Sequence, residues 1–229
     1  MELKVLESSG FCPGVLRATR EIEKALAKDD GVRICVLGEL IHNRTYMDML
    51  EEKGVLTVEV EDIERLARES DGGKQTVLFI RAHGVSRETE ELLRRLCREH
   101  GRFEVRDMTC TFVRRIHDIV EENTAEDTLL LLFGTESHPE VEGIKGHAKG
   151  KVIVFSDPEG LDERIFADTE GKKRVIAVSQ TTQSTNLWKK SQKKKSKTYV
   201  QMQKSLIQYV VSPKKGKQMQ RSLHGTRTG

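Results

Sequence analysis

The sequence predicts an α/β fold made of two small parallel-sheet domains, with helices covering the sheets. Apolar, β-rich runs alternate along the chain with segments whose apolar residues recur every three or four positions, as in successive βαβ units. Polar or reactive side chains directly follow several of the apolar runs, as they do at the carboxyl ends of parallel strands that line ligand crevices. With 229 residues, 36% of them hydrophobic, the chain can form one or two domains with cores of their own.

Six apolar runs predict the strands, at residues 3–6, 34–37, 77–80, 128–133, 152–155 and 175–178. Helical periodicity predicts helices at residues 15–28, 45–53, 87–98 and 112–122, and Pro139 marks the start of a further one. We assign residues 1–107 to a first α/β domain and residues 108–190 to a second. Each contains a cysteine near the start of a helix, which indicates a weak internal repeat.

The composition favours a cytoplasmic enzyme. Four cysteines in 229 residues are too few for a disulfide scaffold and suit a reducing compartment. The first residues read as a strand rather than a signal peptide, and no apolar run approaches the ~18 residues needed to span a membrane. We therefore expect no membrane association.

Residues 191–229 differ in character from the rest of the chain. They contain ten of the 39 basic residues and none of the 36 acidic ones, so the first 190 residues are net acidic. The segment has no sustained apolar period, and by itself it predicts a poorly packed basic tail. A basic tail can also be an arm that binds nucleic acid or another polyanion. Only Tyr199 and Tyr209 could stack on bases there, so this interpretation rests on charge alone.

Cys12 and Cys110 are the most informative residues, because each lies between a strand-like run and a helix-like one. A lone cysteine is more often a small buried hydrophobe than a ligand, and we read Cys35 and Cys97 in that way. The glycines and the proline around Cys12 bend the chain about its sulfur and favour function. Two thiols at strand ends predict one shared centre.

Three histidines, His42, His83 and His138, also follow predicted strands. Imidazoles and backbone N–H groups gathered at helix starts suit a phosphate or diphosphate. Glu140 is a candidate acid by its position, although it could equally be an ordinary first-turn carboxylate. The remaining histidines are assigned structural or surface roles: His100, His117, His147 and His224.

Six motifs, in order along the chain, resemble those of the 4-hydroxy-3-methylbut-2-enyl diphosphate reductase family. They are GFCPGV at residues 10–15, LIHNR at 40–44, RAHGVS at 81–86, TCTFV at 109–113, HPEVEG at 138–143 and QTTQS at 180–184. The resemblance covers residues 1 to about 190. It implies a three-part α/β trefoil, of which this chain holds two parts, around a [4Fe–4S] cluster with one cysteine ligand from each part.

By this resemblance Cys12 and Cys110 are the first two cluster ligands, and His42, His83 and His138 bind the substrate diphosphate. Glu140 delivers protons to the departing hydroxyl, which Thr181 helps to position. The implied reaction is a reductive dehydroxylation of an allylic diphosphate to isopentenyl and dimethylallyl diphosphate, in the non-mevalonate pathway of isoprenoid biosynthesis. Ferredoxin or flavodoxin is the implied electron donor. An open iron can act as a Lewis acid, and a buried carboxylic acid can supply the proton.

The chain departs from the family pattern after residue 190. The third part, with the third ligand cysteine, is not recognisable there, and residues 191–229 contain no cysteine. A shifted reading frame near residue 190, or a truncated product, would give such a break. With two of three thiolates we expect a labile cluster and negligible turnover. The alternative is a two-domain α/β protein that binds RNA or another polyanion through the tail.

Overall fold

Two α/β units make up the chain, Met1–Thr111 and Phe112–Gly229, and each contains its own parallel sheet. The computed structural model describes residues 12–28, 31–41, 43–157, 174–184 and 186, and the backbone of 207–211. The predicted strand at residues 3–6, His42 and most of the basic tail lie outside the described residues. The predicted fold class, two parallel-sheet α/β units, is confirmed.

The first unit alternates helices and strands. In chain order its elements are α1 (Pro13–Leu26), β1 (Arg33–Leu37), α2 (Arg44–Glu52), β2 (Leu56–Val58), a short 3-10 helix (Val60–Asp62), α3 (Ile63–Gly72), β3 (Thr76–Ile80), α4 (Arg87–Glu99) and β4 (Phe103–Asp107). The strand order is β2-β1-β3-β4, with every neighbouring pair parallel. The helices are therefore the crossovers that parallel pairing requires.

Both faces of this first sheet are buried. Cys35, Leu78 and Ile80 belong to an apolar cluster with residues of α3 and α4, whereas Val36 and Phe79 belong to a second cluster with residues of α1 and α2. Successive side chains of a strand point to opposite faces, so an unbroken apolar run fills both layers. This double burial is why β1 and β3 could be predicted from the sequence.

Side-chain caps fix where several helices of this unit begin. Asn43 accepts a hydrogen bond from the Tyr46 N–H at 3.1 Å at the start of α2, and Ser86 accepts one from the Thr89 N–H at 3.2 Å at the start of α4. These bonds satisfy N–H groups that have no partner within the helix. At α1 Pro13 occupies the first turn, where its missing N–H costs nothing.

The second unit has the same order of strands in its sheet. Its elements are α5 (Thr111–Asn123), whose first residue belongs to the first unit, β5 (Thr128–Phe133), α6 (Pro139–Gly146), β6 (Lys151–Phe155), β7 (Arg174–Ser179) and β8 (Ile207–Val211). The strand order is β6-β5-β7-β8, all parallel, which matches the pattern of the first unit. The common order agrees with the weak internal repeat predicted from the sequence.

Strand β8 corrects one expectation. The sequence offered no packing partner for the tail, yet residues 207–211 pair with β7, with a register shift between Val175 and Ala177. The sequence allows residues 205–211 one short strand or helical turn, and the structure forms the strand at Ile207–Val211. Their partner lies far away in the sequence, so local periodicity could not reveal it.

The sequence missed β2 and α3, and it indicated β4 only as an undelimited strand-like run before Cys110. These elements lie partly at the surface: Leu56 is 47% exposed, and β4 has only Phe103 fully buried. Their apolar residues are too interleaved with charged ones to give a strong period. The predicted strands and helices with long apolar runs agree with the structure to within about two residues at each end.

Within the part of the chain that the structure describes, no helix is both long enough and apolar enough to cross a membrane.

Candidate active site

The loop after β4 places Cys110 at the carboxyl end of the first sheet. The Met108 N–H donates to the Ile80 carbonyl at 3.1 Å, and the Cys110 N–H donates to the Ala82 carbonyl at 2.9 Å. These bonds continue the pairing of β3 and β4 past their ends. Cys110 is therefore held beside the residues that follow β3.

The start of α1 lies against Cys110. A Cβ atom placed on Gly14 would be 3.1 Å from the Cys110 Sγ, and the Arg17 guanidinium donates to the Thr109 carbonyl at 2.7 Å. Cys12 is the N-cap of the same helix, two residues before Gly14. The two cysteines predicted to share a centre thus lie at the same end of the first unit.

His83 follows β3 in a tight turn beside this pair. Gly84 adopts a φ of 73°, a conformation that favours glycine, and its N–H donates to the Arg81 carbonyl at 3.1 Å. His83 comes directly after Ala82, whose carbonyl accepts the bond from Cys110. The imidazole and both candidate thiols therefore belong to one end of one sheet.

The four cysteines divide into two groups by their surroundings. All are free thiols: Cys12 is exposed, Cys97 and Cys110 are partly exposed, and Cys35 is buried, so the pKa rather than exposure separates Cys97. Burial raises the pKa of Cys35 to about 11 and also raises the pKa of Cys97. A thiolate is the form that binds metal, so Cys35 and Cys97 suit packing, as the sequence predicted.

In the second unit, His138 caps α6 at the carboxyl end of β5. Its Nδ1 accepts a hydrogen bond from the Glu140 N–H at 3.1 Å, and Pro139 occupies the first helical turn. Because Nδ1 accepts a hydrogen bond, the proton of the neutral ring is on Nε2. His138 is therefore fixed as an Nε2–H donor at the start of a helix.

Glu140 is buried and held by Thr181. Its side chain is in a residue only 1% exposed, and its two oxygens accept bonds from the Thr181 N–H at 2.6 Å and the Thr181 hydroxyl at 2.7 Å. Burial raises the pKa of the Glu140 carboxyl, while the two bonds from Thr181 oppose that rise. Burial is the larger effect, so the pKa of the Glu140 carboxyl lies above that of an ordinary glutamate.

Gln180 fixes the loop that carries Thr181. Its N–H donates to the Phe133 carbonyl at 2.8 Å, and its side-chain oxygen accepts a bond from the Thr135 N–H at 3.1 Å. Gly134 lies so close that an added Cβ would be 3.1 Å from the same Gln180 oxygen. The ends of β5 and β7 are thereby tied together beneath Glu140 and Thr181.

The sequence assigned His117 and His147 structural or surface roles, and the structure buries both in the second unit. Their rings stack with centroids 4.2 Å apart, and His147 Nδ1 lies 3.3 Å from a Glu121 carboxylate oxygen. Among the described residues neither ring nitrogen of His117 has a hydrogen-bond partner. Burial first, then the nearby His147 and Arg114, lower the pKa of His117 to about 3.

The predicted site residues therefore fall into two groups, one in each unit. Cys12, His83 and Cys110 come together in the first unit; His138, Glu140 and Thr181 come together in the second. His42 lies outside the described residues. The direct contact between Glu140 and Thr181 joins residues 41 positions apart, and no local pattern could have predicted its geometry.

Comparison with known proteins supplies an independent line of evidence. A family model described as LytB protein matches residues 3–211. The 4-hydroxy-3-methylbut-2-enyl diphosphate reductase of Caldanaerobacter subterraneus subsp. tengcongensis is 35% identical over 188 residues, which cover 82% of this chain and 60% of that protein. The enzyme of the same name from Aquifex aeolicus is 32% identical over 192 residues, with the same coverage.

Solved structures give the same result for the fold. The structure of (E)-4-hydroxy-3-methyl-but-2-enyl diphosphate reductase, the terminal enzyme of the non-mevalonate pathway, matches with a TM-score of 0.65 and 28% identity. The match covers 90% of this chain and 66% of that one. The E-1-hydroxy-2-methyl-but-2-enyl-4-diphosphate reductase of Plasmodium falciparum matches with a TM-score of 0.67 at 24% identity, over 90% of this chain and 57% of that one, which supports the fold alone. The chain spans about 60% of the length of the curated relatives it matches. The family match covers most of its residues, and the chain belongs to the LytB protein family.

Proposed function

We propose that this chain forms the first two parts of a 4-hydroxy-3-methylbut-2-enyl diphosphate reductase, which removes the hydroxyl of its allylic diphosphate substrate reductively. The products are isopentenyl and dimethylallyl diphosphate, and two electrons and two protons balance the loss of water. The observation that carries the proposal is the buried Glu140, held on both oxygens by Thr181. Loss of a hydroxyl as water needs a proton, and a carboxyl group whose pKa is raised by burial can supply it.

Thr181 holds the carboxyl group of Glu140 in place for this role. Its N–H and hydroxyl occupy one lone-pair direction on each carboxyl oxygen, so the carboxyl plane is fixed. When Glu140 is protonated, one of these oxygens carries the proton, and the Thr181 hydroxyl can accept a hydrogen bond from it. Thr181 can thereby position the substrate hydroxyl and exchange protons with it.

His138 is proposed to bind the diphosphate. The Glu140 N–H holds its Nδ1, so its Nε2–H is the group that can donate to a phosphate oxygen. The start of α6 adds the favourable end of a helix dipole for an anion. We assign His42 and His83 the same role from their motifs.

Cys12 and Cys110 are proposed to be cluster ligands. An iron–sulfur cluster requires thiolate donors that solvent and iron can reach, and these two free thiols are more exposed than Cys35. Their shared position at the end of the first sheet fits such a donor set, and we assign a [4Fe–4S] cluster to it. When bound, the cluster supplies the electrons for the reaction.

The remaining partners follow from this chemistry. Electrons would come from a small redox protein, ferredoxin or flavodoxin, and the four free thiols suit the reducing cytoplasm. The alternative of a polyanion-binding protein with a basic arm is not supported by the comparisons, because the family match extends to residue 211 and so into the basic segment.

Product analysis tests the proposed function. The chain spans 60% of its relatives, so the assay uses both the chain itself and a joined protein that adds the unmatched remainder of the Caldanaerobacter enzyme. After anaerobic reconstitution with iron and sulfide, each is given the hydroxylated allylic diphosphate and a low-potential reductant. We expect the joined protein to form isopentenyl and dimethylallyl diphosphate. A well-folded, iron-loaded joined protein that forms neither would contradict the proposal.

A further inference from the structure

Gly14 has no conformational reason to be glycine. It lies in the first turn of α1, and unlike Gly31, Gly38, Gly54 and Gly84 it does not have a positive φ. Glycine weakens a helix relative to alanine, because the backbone loses more freedom on folding. The presence of glycine at this position must therefore come from the contacts around it.

The surrounding atoms limit the size of the side chain that fits at position 14. An added Cβ would be 3.1 Å from the Sγ of Cys110, 3.2 Å from its Cβ and 3.8 Å from its Cα. Two of these separations are tighter than ordinary van der Waals contact, and all three are to one residue. Because Gly14 has no side chain, the side chain of Cys110 can lie directly against the start of α1.

The backbone of Cys110 has little freedom to move away. Its N–H is bonded to the Ala82 carbonyl, and the preceding residue, Thr109, is held by Arg17 through its carbonyl and by Asp107 through its N–H at 2.8 Å. The helix is equally fixed, because Ala18 and Ile22 of α1 are completely buried. A methyl group at position 14 would therefore displace the Cys110 sulfur rather than either segment.

We propose that Gly14 is a positioning residue, which sets the Cys110 sulfur against the start of α1 so that Cys12 and Cys110 can bind one cluster together. This inference rests on the proposed function for the identity of the cluster. The placement of the sulfur itself depends only on contacts within the first unit.

The test compares Gly14→Ala with Gly72→Ala and Gly101→Ala in the full chain. An added Cβ meets nothing within 4 Å at either control position, and neither requires a positive φ. Two readouts are used: iron and sulfide retained after anaerobic reconstitution and gel filtration, and the alkylation rates of Cys12 and Cys110 in the cluster-free chain, separated by peptide mass spectrometry.

For Gly14→Ala we expect about tenfold weaker retention of iron, as when a group that orients a metal ligand is removed. The ratio of the Cys110 to the Cys12 alkylation rate should change several-fold, while both controls behave as the wild type. Equal iron retention and an equal alkylation ratio in Gly14→Ala and wild type would overturn the inference. A wild type that retains no iron would agree with the labile cluster expected from two thiolates, and the alkylation ratio alone then decides the role of Gly14.

A stability cycle covers the case in which Gly14→Ala folds poorly. Melting temperatures are measured for the wild type, Gly14→Ala, Cys110→Ala and the double variant. Removing the sulfur removes the closest atom to the added methyl group and leaves only the Cβ of residue 110 at 3.2 Å, so Cys110→Ala should restore part of what Gly14→Ala loses. An equal loss with and without the sulfur would mean that Gly14 merely packs, and would overturn the proposal.

Discussion

Turnover by the joined protein should fall by about 100- to 10,000-fold when Glu140 is replaced by glutamine, the range by which a positioned general acid accelerates a reaction. Glutamine keeps the shape of the side chain, and its carbonyl can still accept the bond from the Thr181 N–H. It cannot deliver a proton. The loss should appear in kcat, with little change in substrate binding.

Glu142→Gln is the matched control for this substitution. Glu142 lies on the same helix, but its side chain is 58% exposed and pairs with Lys145 at 3.1 Å. Its turnover should equal that of the wild type. Comparable losses in both variants, or no loss in Glu140→Gln, would show that Glu140 is not the proton donor.

The pH dependence of turnover is a second test of Glu140 as the proton donor. Burial raises the pKa of this carboxyl above its ordinary value, so the protonated form persists to higher pH. A general acid acts in that form, and turnover should therefore decline as the pH rises through the raised pKa.

The second unit should lose stability as the pH falls below about 6.5, by on the order of 1.4 kcal/mol for each pH unit and about 2 kcal/mol at pH 5. His117 is the cause. It is completely buried, and its pKa is lowered from 6.5 to about 3. Between these two values the unfolded chain binds a proton that the folded chain does not, so acid favours unfolding.

Hydrogen exchange of the β5 amides measures this effect, because β5 lies at the centre of the second unit. His117→Gln should remove the slope that His117 contributes between pH 6.5 and pH 5. Above about pH 7.5 His117 is neutral in both states, so the two chains then differ by packing alone. An unchanged slope in the variant would exclude His117 as the source.

Much of the fold was predictable because the signal is local. The runs that form β1, β3 and β5 are apolar on both faces, and the helices after Cys12 and Cys110 have clear apolar periods. The same reasoning found the candidate residues that follow strands. For β8 the sequence allows a short strand, but it does not reveal the partner strand, β7.

The chemistry of the site depends on contacts between distant residues. Position alone left Glu140 as either a first-turn acid or a catalytic group, and its burial against Thr181 distinguishes it from Glu142. Gly14 gave no signal in the sequence beyond its motif, because its importance comes from Cys110. For His117 the sequence allows either a structural or a surface role, and tertiary packing buries the residue.

The central claim is that Cys12 and Cys110 together hold an iron–sulfur cluster. Its most direct test is anaerobic reconstitution of the joined protein, followed by counting of iron and sulfide per chain and electron paramagnetic resonance of the reduced sample. The comparison is between wild type, Cys12→Ser, Cys110→Ser and the packing control Cys97→Ser. We expect wild type and Cys97→Ser to retain the cluster and its signal, and both other variants to lose them. Equal retention of iron and sulfide by Cys12→Ser, Cys110→Ser and wild type would contradict the account.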